Sequence, residues 1–101
     1  MYRFNSFTTK ANEVLNLAIK SAETYGHNYI GTEHILVGLL STDSTVPALT
    51  NNGVTYEGVD SLIREEIGVG NPKSLTPDDF TPRAKRIIEI SIQIEKIMSN
   101  S

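Results

Sequence analysis

Phe7-Thr8-Thr9-Lys10-Ala11 returns as Phe80-Thr81-Pro82-Arg83-Ala84, an aromatic-threonine-variable-base-alanine pattern repeated at an offset of 73 residues. The register holds past the motif, since Val14 and Leu15 align with Ile87 and Ile88, Leu17 with Ile90, Ala18 with Ser91 and Ile19 with Ile92. The last helical stretch is therefore a second copy of the first. In the first copy, Val14, Leu15, Ala18, Ile19 and Ala22 follow the rhythm of one helix face, with Asn12, Glu13, Asn16, Lys20 and Glu23 opposite. A helix from Thr9 to Tyr25 is predicted, capped by the Thr8 hydroxyl and ended by Gly26.

Between the copies the same reasoning places three more helices. Thr32 is a candidate cap for a short helix bearing Ile35, Leu36, Val37, Leu39 and Leu40, apolar almost all round and so expected at the centre of the core. After a polar loop at residues 41–45, Pro47 suits the first turn of a small helix that stops before Asn51-Asn52-Gly53. Thr55 opens a further helix with Val59, Leu62, Ile63 and Ile67 turned inward and Gly68 closing it. Residues 69–79, with Gly70, Pro72, Pro77 and the adjacent Asp78 and Asp79, read as a flexible linker. Thr81-Pro82 then starts a last helix bearing Ile87, Ile88, Ile90, Ile94, Ile97 and Met98. The fold class is all-α. The chain reads as a single domain over 1–101, made of one repeat (about 5–68), the linker (69–79) and the first helix of a second repeat (80–101).

Composition narrows the function classes. With 101 residues, 39% hydrophobic, the chain can bury roughly two thirds of its unfolded surface, enough for one small core. A net charge of −3 and pI near 5.3 disfavour a polyphosphate partner, so no nucleic acid is expected. The absence of cysteine excludes a disulfide framework, a thiol nucleophile and a thiolate metal site. No stretch has the length of a membrane span or the apolar core of a signal peptide, and a cytoplasmic protein with no membrane partner is expected.

Together with the two Phe-Thr motifs, the run Gly26-His27-Asn28-Tyr29-Ile30-Gly31-Thr32-Glu33-His34-Ile35-Leu36-Val37-Gly38-Leu39 resembles the Clp amino-terminal repeat domain, the Gly-Thr-Glu-His form being closest to the ClpC branch. The resemblance covers nearly the whole chain. It implies a pseudo-twofold pair of four-helix repeats standing in front of a hexameric AAA+ unfoldase, receiving substrates and MecA-like adaptors for a ClpP-like peptidase. It implies no catalysis and no cofactor in this domain, ATP belonging to the parent protein's ATPase modules. Three departures are visible: Thr9 stands where an acid is usual, Ser99-Asn100 replace the second Gly-His, and the last three helices of the second repeat are missing, so that the second copy stops at Ser101 opposite Asn28.

Glu33 in the first turn of its helix gains stability from the helix macrodipole, which alone would account for it. The resemblance implies instead that Glu33 and Thr8, with Thr81 repeating Thr8, bind phosphoarginine. The chemistry is coherent: a planar guanidinium takes paired hydrogen bonds from a carboxylate, and a phosphate sits at a helix N-terminus beside a hydroxyl. Thr8 and Glu33 would then form one site, and Thr81 half of a second. His27 and His34, seven residues apart, lack the i, i+4 spacing of a helical zinc pair and are expected to make turn hydrogen bonds or pack on the core. Asp78 and Asp79 have no partner motif and are expected to be solvated.

Three functions compete. The first is the substrate and adaptor receptor of a ClpC-type unfoldase. The second is a free-standing truncated repeat that competes for adaptors. The third is a helical phosphotransfer domain using His34, which is disfavoured because His34 lies at a helix start rather than exposed midway along a helix. The isoleucine face of the last helix, without its three following helices, is expected to drive a twofold dimer.

Overall fold

A computed structural model describes residues 1–4, 7–42 and 51–99, without the side chains of residue 92 and residues 94–99. The described helices are α1 (Thr9–Tyr25), α2 (Thr32–Ser41), α3 (Tyr56–Leu62) and α4 (Pro82–Ser99), with a single π turn at Ile63–Ile67 and a 3₁₀ turn at Pro77–Asp79. The fold is all-α. The short helix expected after Pro47 lies outside the described residues, as do the side chains of Ile94, Ile97 and Met98.

The central element is α1. Thr8 Oγ1 accepts the Ala11 N–H at 3.2 Å, and Gly26 at φ 76° receives the chain at the other end, so both termini fall where the local chemistry sets them. Leu15, Ala18, Ile19 and Ala22 are buried and meet Ile30, Leu75, Phe80 and Ala84 in one cluster. Alanine at 18, 22 and 84, each with no exposed surface, lets neighbouring backbones approach closely. The crossing with α2 is tighter still: a Cβ on Gly38 would lie 2.6 Å from the Val14 carbonyl oxygen. That crossing buries only His34, Val37 and Gly38 of α2, while Ile35, Leu36, Leu39 and Leu40 stay partly exposed. The expectation that α2 lies at the centre of the core gives way to α1, which supplies Leu15, Ala18, Ile19 and Ala22 to the main cluster while the closeness at Gly38 presses one narrow face of α2 against it.

Two further expectations are corrected. On α3 and its π turn, Ile63 is buried and Val59 half-buried, but Leu62 and Ile67 are 59% and 45% exposed. The i→i+5 bond from Gly68 N–H to the Ile63 carbonyl adds a residue to the last turn and rotates Ile67 away from the face that a 3.6-residue period would give it. Residues 69–79 are docked rather than free. Gly70 N–H donates to the Tyr25 carbonyl (2.8 Å), Lys73 N–H to the Glu23 carbonyl (3.2 Å) and Leu75 N–H to the Glu23 carboxylate (2.7 Å), and Leu75 enters the core. Asp79 is likewise structural, its Oδ2 accepting the Thr76 N–H at 2.9 Å in the 3₁₀ turn; Asp78 is exposed.

Candidate functional site

The turn from Gly26 to Gly31 is held from below by the 69–80 strap and from one side by α4. Gly26 has two reasons to be glycine: its left-handed backbone, and the Gly70 carbonyl carbon that a Cβ would meet at 2.4 Å. Farther along the turn, Ile30 N–H donates to the Asp79 carbonyl (2.8 Å) and the Ile30 carbonyl accepts the Thr81 N–H (2.9 Å), an isolated parallel bridge between Ile30 and Phe80. Ile30 has no exposed surface and Phe80 only 4%, so the bridge is anchored by packing as well as hydrogen bonds. The Phe-Thr motif of the second copy thus docks on the turn of the first.

This docking fixes where Thr81 sits relative to the turn. Thr81 Oγ1 caps α4 by accepting the Ala84 N–H at 3.1 Å, and its backbone is tied to Ile30, three residues before Glu33. Glu33, with 29% of its side chain exposed, folds back over Gly31, where its Oε1 leaves no room for a Cβ; its Oε2 accepts a long hydrogen bond from the Tyr29 hydroxyl at 3.4 Å. Thr8 caps α1 and is exposed, and among the described residues no hydrogen bond joins it to Glu33. The Thr81 backbone is thus fixed beside Ile30 at the end of the turn that leads into α2, while Thr8 caps α1.

Beneath Glu33 runs a buried relay. Gly31, the N-cap of α2 in place of the expected Thr32, donates its N–H to His34 Nδ1 at 2.8 Å. A backbone amide can only donate, so His34 carries its proton on Nε2 and donates it to His27 Nδ1 at 2.7 Å. His27 in turn donates from Nε2 to the Gly68 carbonyl at 2.8 Å, which closes the chain with every ring nitrogen satisfied and both imidazoles neutral. The His27 ring lies stacked between Tyr25 and Tyr29, at centroid distances of 5.5 and 5.6 Å. Burial, reinforced by His27 and opposed by the nearby Glu33 carboxylate, lowers the His34 pKa to about 4. At the edge of the stack the Tyr25 hydroxyl donates to Asp60 Oδ1 at 2.6 Å, which holds the Asp60 carboxyl below its ordinary value; burial first, and then this bond, pushes the tyrosine up. Arg64 closes on the same carboxylate at 3.0 Å.

The family model for the Clp repeat (R) N-terminal domain matches residues 6–101. The chain belongs to that family. Among curated relatives, the ATP-dependent Clp protease ATP-binding subunit ClpA homolog of Cyanidium caldarium is 37% identical over 100 residues, covering 97% of this chain and 12% of that protein. The chloroplastic chaperone proteins ClpC2 of Oryza sativa subsp. japonica and ClpC1 of Arabidopsis thaliana are 38% and 37% identical over 92 residues, covering 89% of this chain and 10% of each. The chain spans about a tenth of the length of these relatives. In this Clp repeat the two histidines are packed and hydrogen-bonded, as their spacing suggested, and among the described residues no group of three or more His, Asp or Glu side chains converges on a point where a metal could sit. No helix among the described residues is long and apolar enough to cross a membrane.

Sequence reasoning assigned Asn12, Asn16 and Glu23 of the Clp repeat to solvent, yet each binds a strap. Asn16 holds Tyr2, Asn12 holds Phe4, Phe7 and Thr8, and Glu23 holds Leu75. The available signal was weak: two asparagines one turn apart on a helix, where the residue type is otherwise unfavourable.

Proposed function

We propose that this Clp repeat receives substrates and adaptors for a ClpC-type AAA+ unfoldase, binding without catalysis, and that phosphoarginine is the mark it reads. What carries the reading is the pairing of Thr81 with Ile30, which brings the N-terminus of the 18-residue α4 beside the turn that leads into Glu33. A helix N-terminus with a threonine hydroxyl suits the phosphate, and a carboxylate one short turn away suits the guanidinium. Glu33 and Thr81 are therefore the principal pair, with Thr8 as the equivalent threonine of a second position. The ATP-driven motor, the hexamer, the ClpP-like peptidase and MecA-like adaptors enter as partners of the longer protein to which such a domain is joined. Cytoplasmic residence is part of this proposal, and the rice and Arabidopsis relatives are chloroplastic.

Titration calorimetry of the chain with free phosphoarginine, arginine and phosphoserine tests it. Binding of phosphoarginine alone is expected. Glu33→Ala should weaken it by about 2 kcal/mol or more, because a charge-assisted pair is lost. Its fold should be little affected, since among the described residues the Glu33 side chain makes one hydrogen bond, the long one from Tyr29. Thr81→Val should weaken binding and Thr8→Val should leave the Glu33 position intact. Heat with plain arginine equal to that with phosphoarginine, or a Glu33→Ala chain that binds as the parent does, would overturn the reading.

A further inference from the structure

The first four residues lie along α1 in a way that resembles strand pairing rather than helix contact. Asn16 accepts the Tyr2 N–H through Oδ1 and donates from Nδ2 to the Tyr2 carbonyl, both at 2.7 Å. Asn12 does the same for Phe4, accepting its N–H and donating to its carbonyl at 3.0 Å. Each asparagine amide offers one acceptor and one donor edge in a plane, the same pair that a residue of a neighbouring antiparallel strand would offer. The spacings agree: one helical turn separates Asn12 from Asn16 by about 6 Å, and two residues of extended chain separate Tyr2 from Phe4 by about 6.7 Å. Two side chains of a helix thus stand in for a strand.

Recognition of this kind reads backbone, not sequence. Met1 and Tyr2 are 103% and 42% exposed, so their side chains contribute little to holding the strap. Phe4 is the exception, its ring meeting Phe80 edge to face at 6.3 Å and packing on the core. Beside the strap lies an open cleft of about 650 Å³, whose walls include Phe4, Phe7, Thr9, Asn12 and Glu13. We propose that Asn12 and Asn16 form a docking site for extended peptide segments with an aromatic residue at the position of Phe4, and that residues 1–4 are its intramolecular occupant. An incoming peptide takes the backbone bonds of Tyr2 and Phe4 and the ring position against Phe80. Because a short tether presents the strap at an effective concentration in the millimolar range, a free peptide competes well only when the strap is weakened. This site stands apart from the phosphoarginine reading, and the peptides that test it carry no phosphate.

The probe is a fluorescein-labelled peptide of the chain's own first six residues, Met-Tyr-Arg-Phe-Asn-Ser, amidated at its C-terminus and followed by fluorescence anisotropy. A Phe4→Ala chain, whose strap has lost its ring anchor, should bind it at least tenfold more tightly than the parent. Adding Asn16→Ala should lose at least tenfold again, since among the described residues the Asn16 side chain bonds, outside the strap, only the Asn12 carbonyl. Unlabelled peptides of unrelated sequence with phenylalanine in fourth place should compete, and those with alanine there should not. In the parent, millimolar peptide should shift the side-chain amide resonances of Asn12 and Asn16, a readout that needs no variant. Equal binding to parent and Phe4→Ala chains, indifference to Asn16→Ala, competition by the chain's own sequence alone, or unmoved asparagine amides would each overturn the proposal.

Discussion

Lowering the pH from 7 to 5 should remove about 2 kcal/mol of stability through His34. In the folded chain its pKa lies at about 4, set first by burial, against 6.5 for an exposed histidine. Between those values the unfolded chain takes up a proton that the folded chain refuses, so stability is full above about pH 6.5 and falls as the pH drops. The linkage relation gives about 2 kcal/mol lost by pH 5 and about 3 kcal/mol by pH 4. The structure explains the refusal. Protonated His34 would turn Nδ1 into a donor facing the Gly31 N–H, and the gain from Glu33, 3.9 Å away, does not offset the burial of charge. Urea unfolding followed by circular dichroism at pH 7, 6 and 5 measures the loss, and a His34→Gln chain, less stable throughout, should show a flatter dependence over the same range. Proton NMR of the parent should place the His34 titration near pH 4. A His34 titration near 6.5, or parallel pH dependences in parent and variant, would refute the reasoning.

Gly38→Ala should cost about 1–3 kcal/mol, because its Cβ meets the Val14 carbonyl oxygen at 2.6 Å and α1 and α2 must move apart; thermal denaturation reads this as a clear drop in Tm. Tyr25→Phe should cost about 1–2 kcal/mol by deleting the 2.6 Å bond to Asp60, measured by urea unfolding at pH 7, and should let the Asp60 carboxyl titrate closer to its ordinary value by carbon-detected NMR. Ile87 and Ile90 of α4 are 44% and 38% exposed beside an apolar groove lined by Phe7, Val14, Ile35 and Leu39, so the 101-residue chain should self-associate at micromolar concentration. Light scattering should show a mass above 11.1 kDa that falls to it in the Ile87→Lys, Ile90→Lys chain.

The parts of this fold that sequence makes legible are those decided locally. Thr8 and Gly26 bound α1 because a cap hydroxyl and a left-handed glycine act within one turn, and the Phe-Thr repeat identified α4 because both copies meet the same packing demand. What depends on distant partners was not legible. The π turn at Ile63–Ile67 ends at Gly68, whose carbonyl is fixed by His27 across 41 residues, and helical periodicity carries no trace of that bond. The 69–79 strap has the composition of a loop, yet its amides are bound by Glu23 and Tyr25. At the candidate site Glu33, Thr8 and Thr81 are each legible as residues, but the pairing of Thr81 with Ile30 is not, because it joins segments that local patterning cannot relate.

The bridge between Ile30 and Phe80 also has a mechanical side. Two hydrogen bonds and one buried aromatic ring fasten the start of α4 to the turn that leads into Glu33, and α4 is a stiff rod of 18 residues. A load applied along that rod falls on those two bonds together with the packing of Ala84 and Ile88 against α1. A ligand spanning Glu33 and the start of α4 would act as a rivet across the same seam, so occupancy and resistance to pulling are coupled. Single-molecule stretching would see that coupling as an unfolding force that rises with ligand concentration.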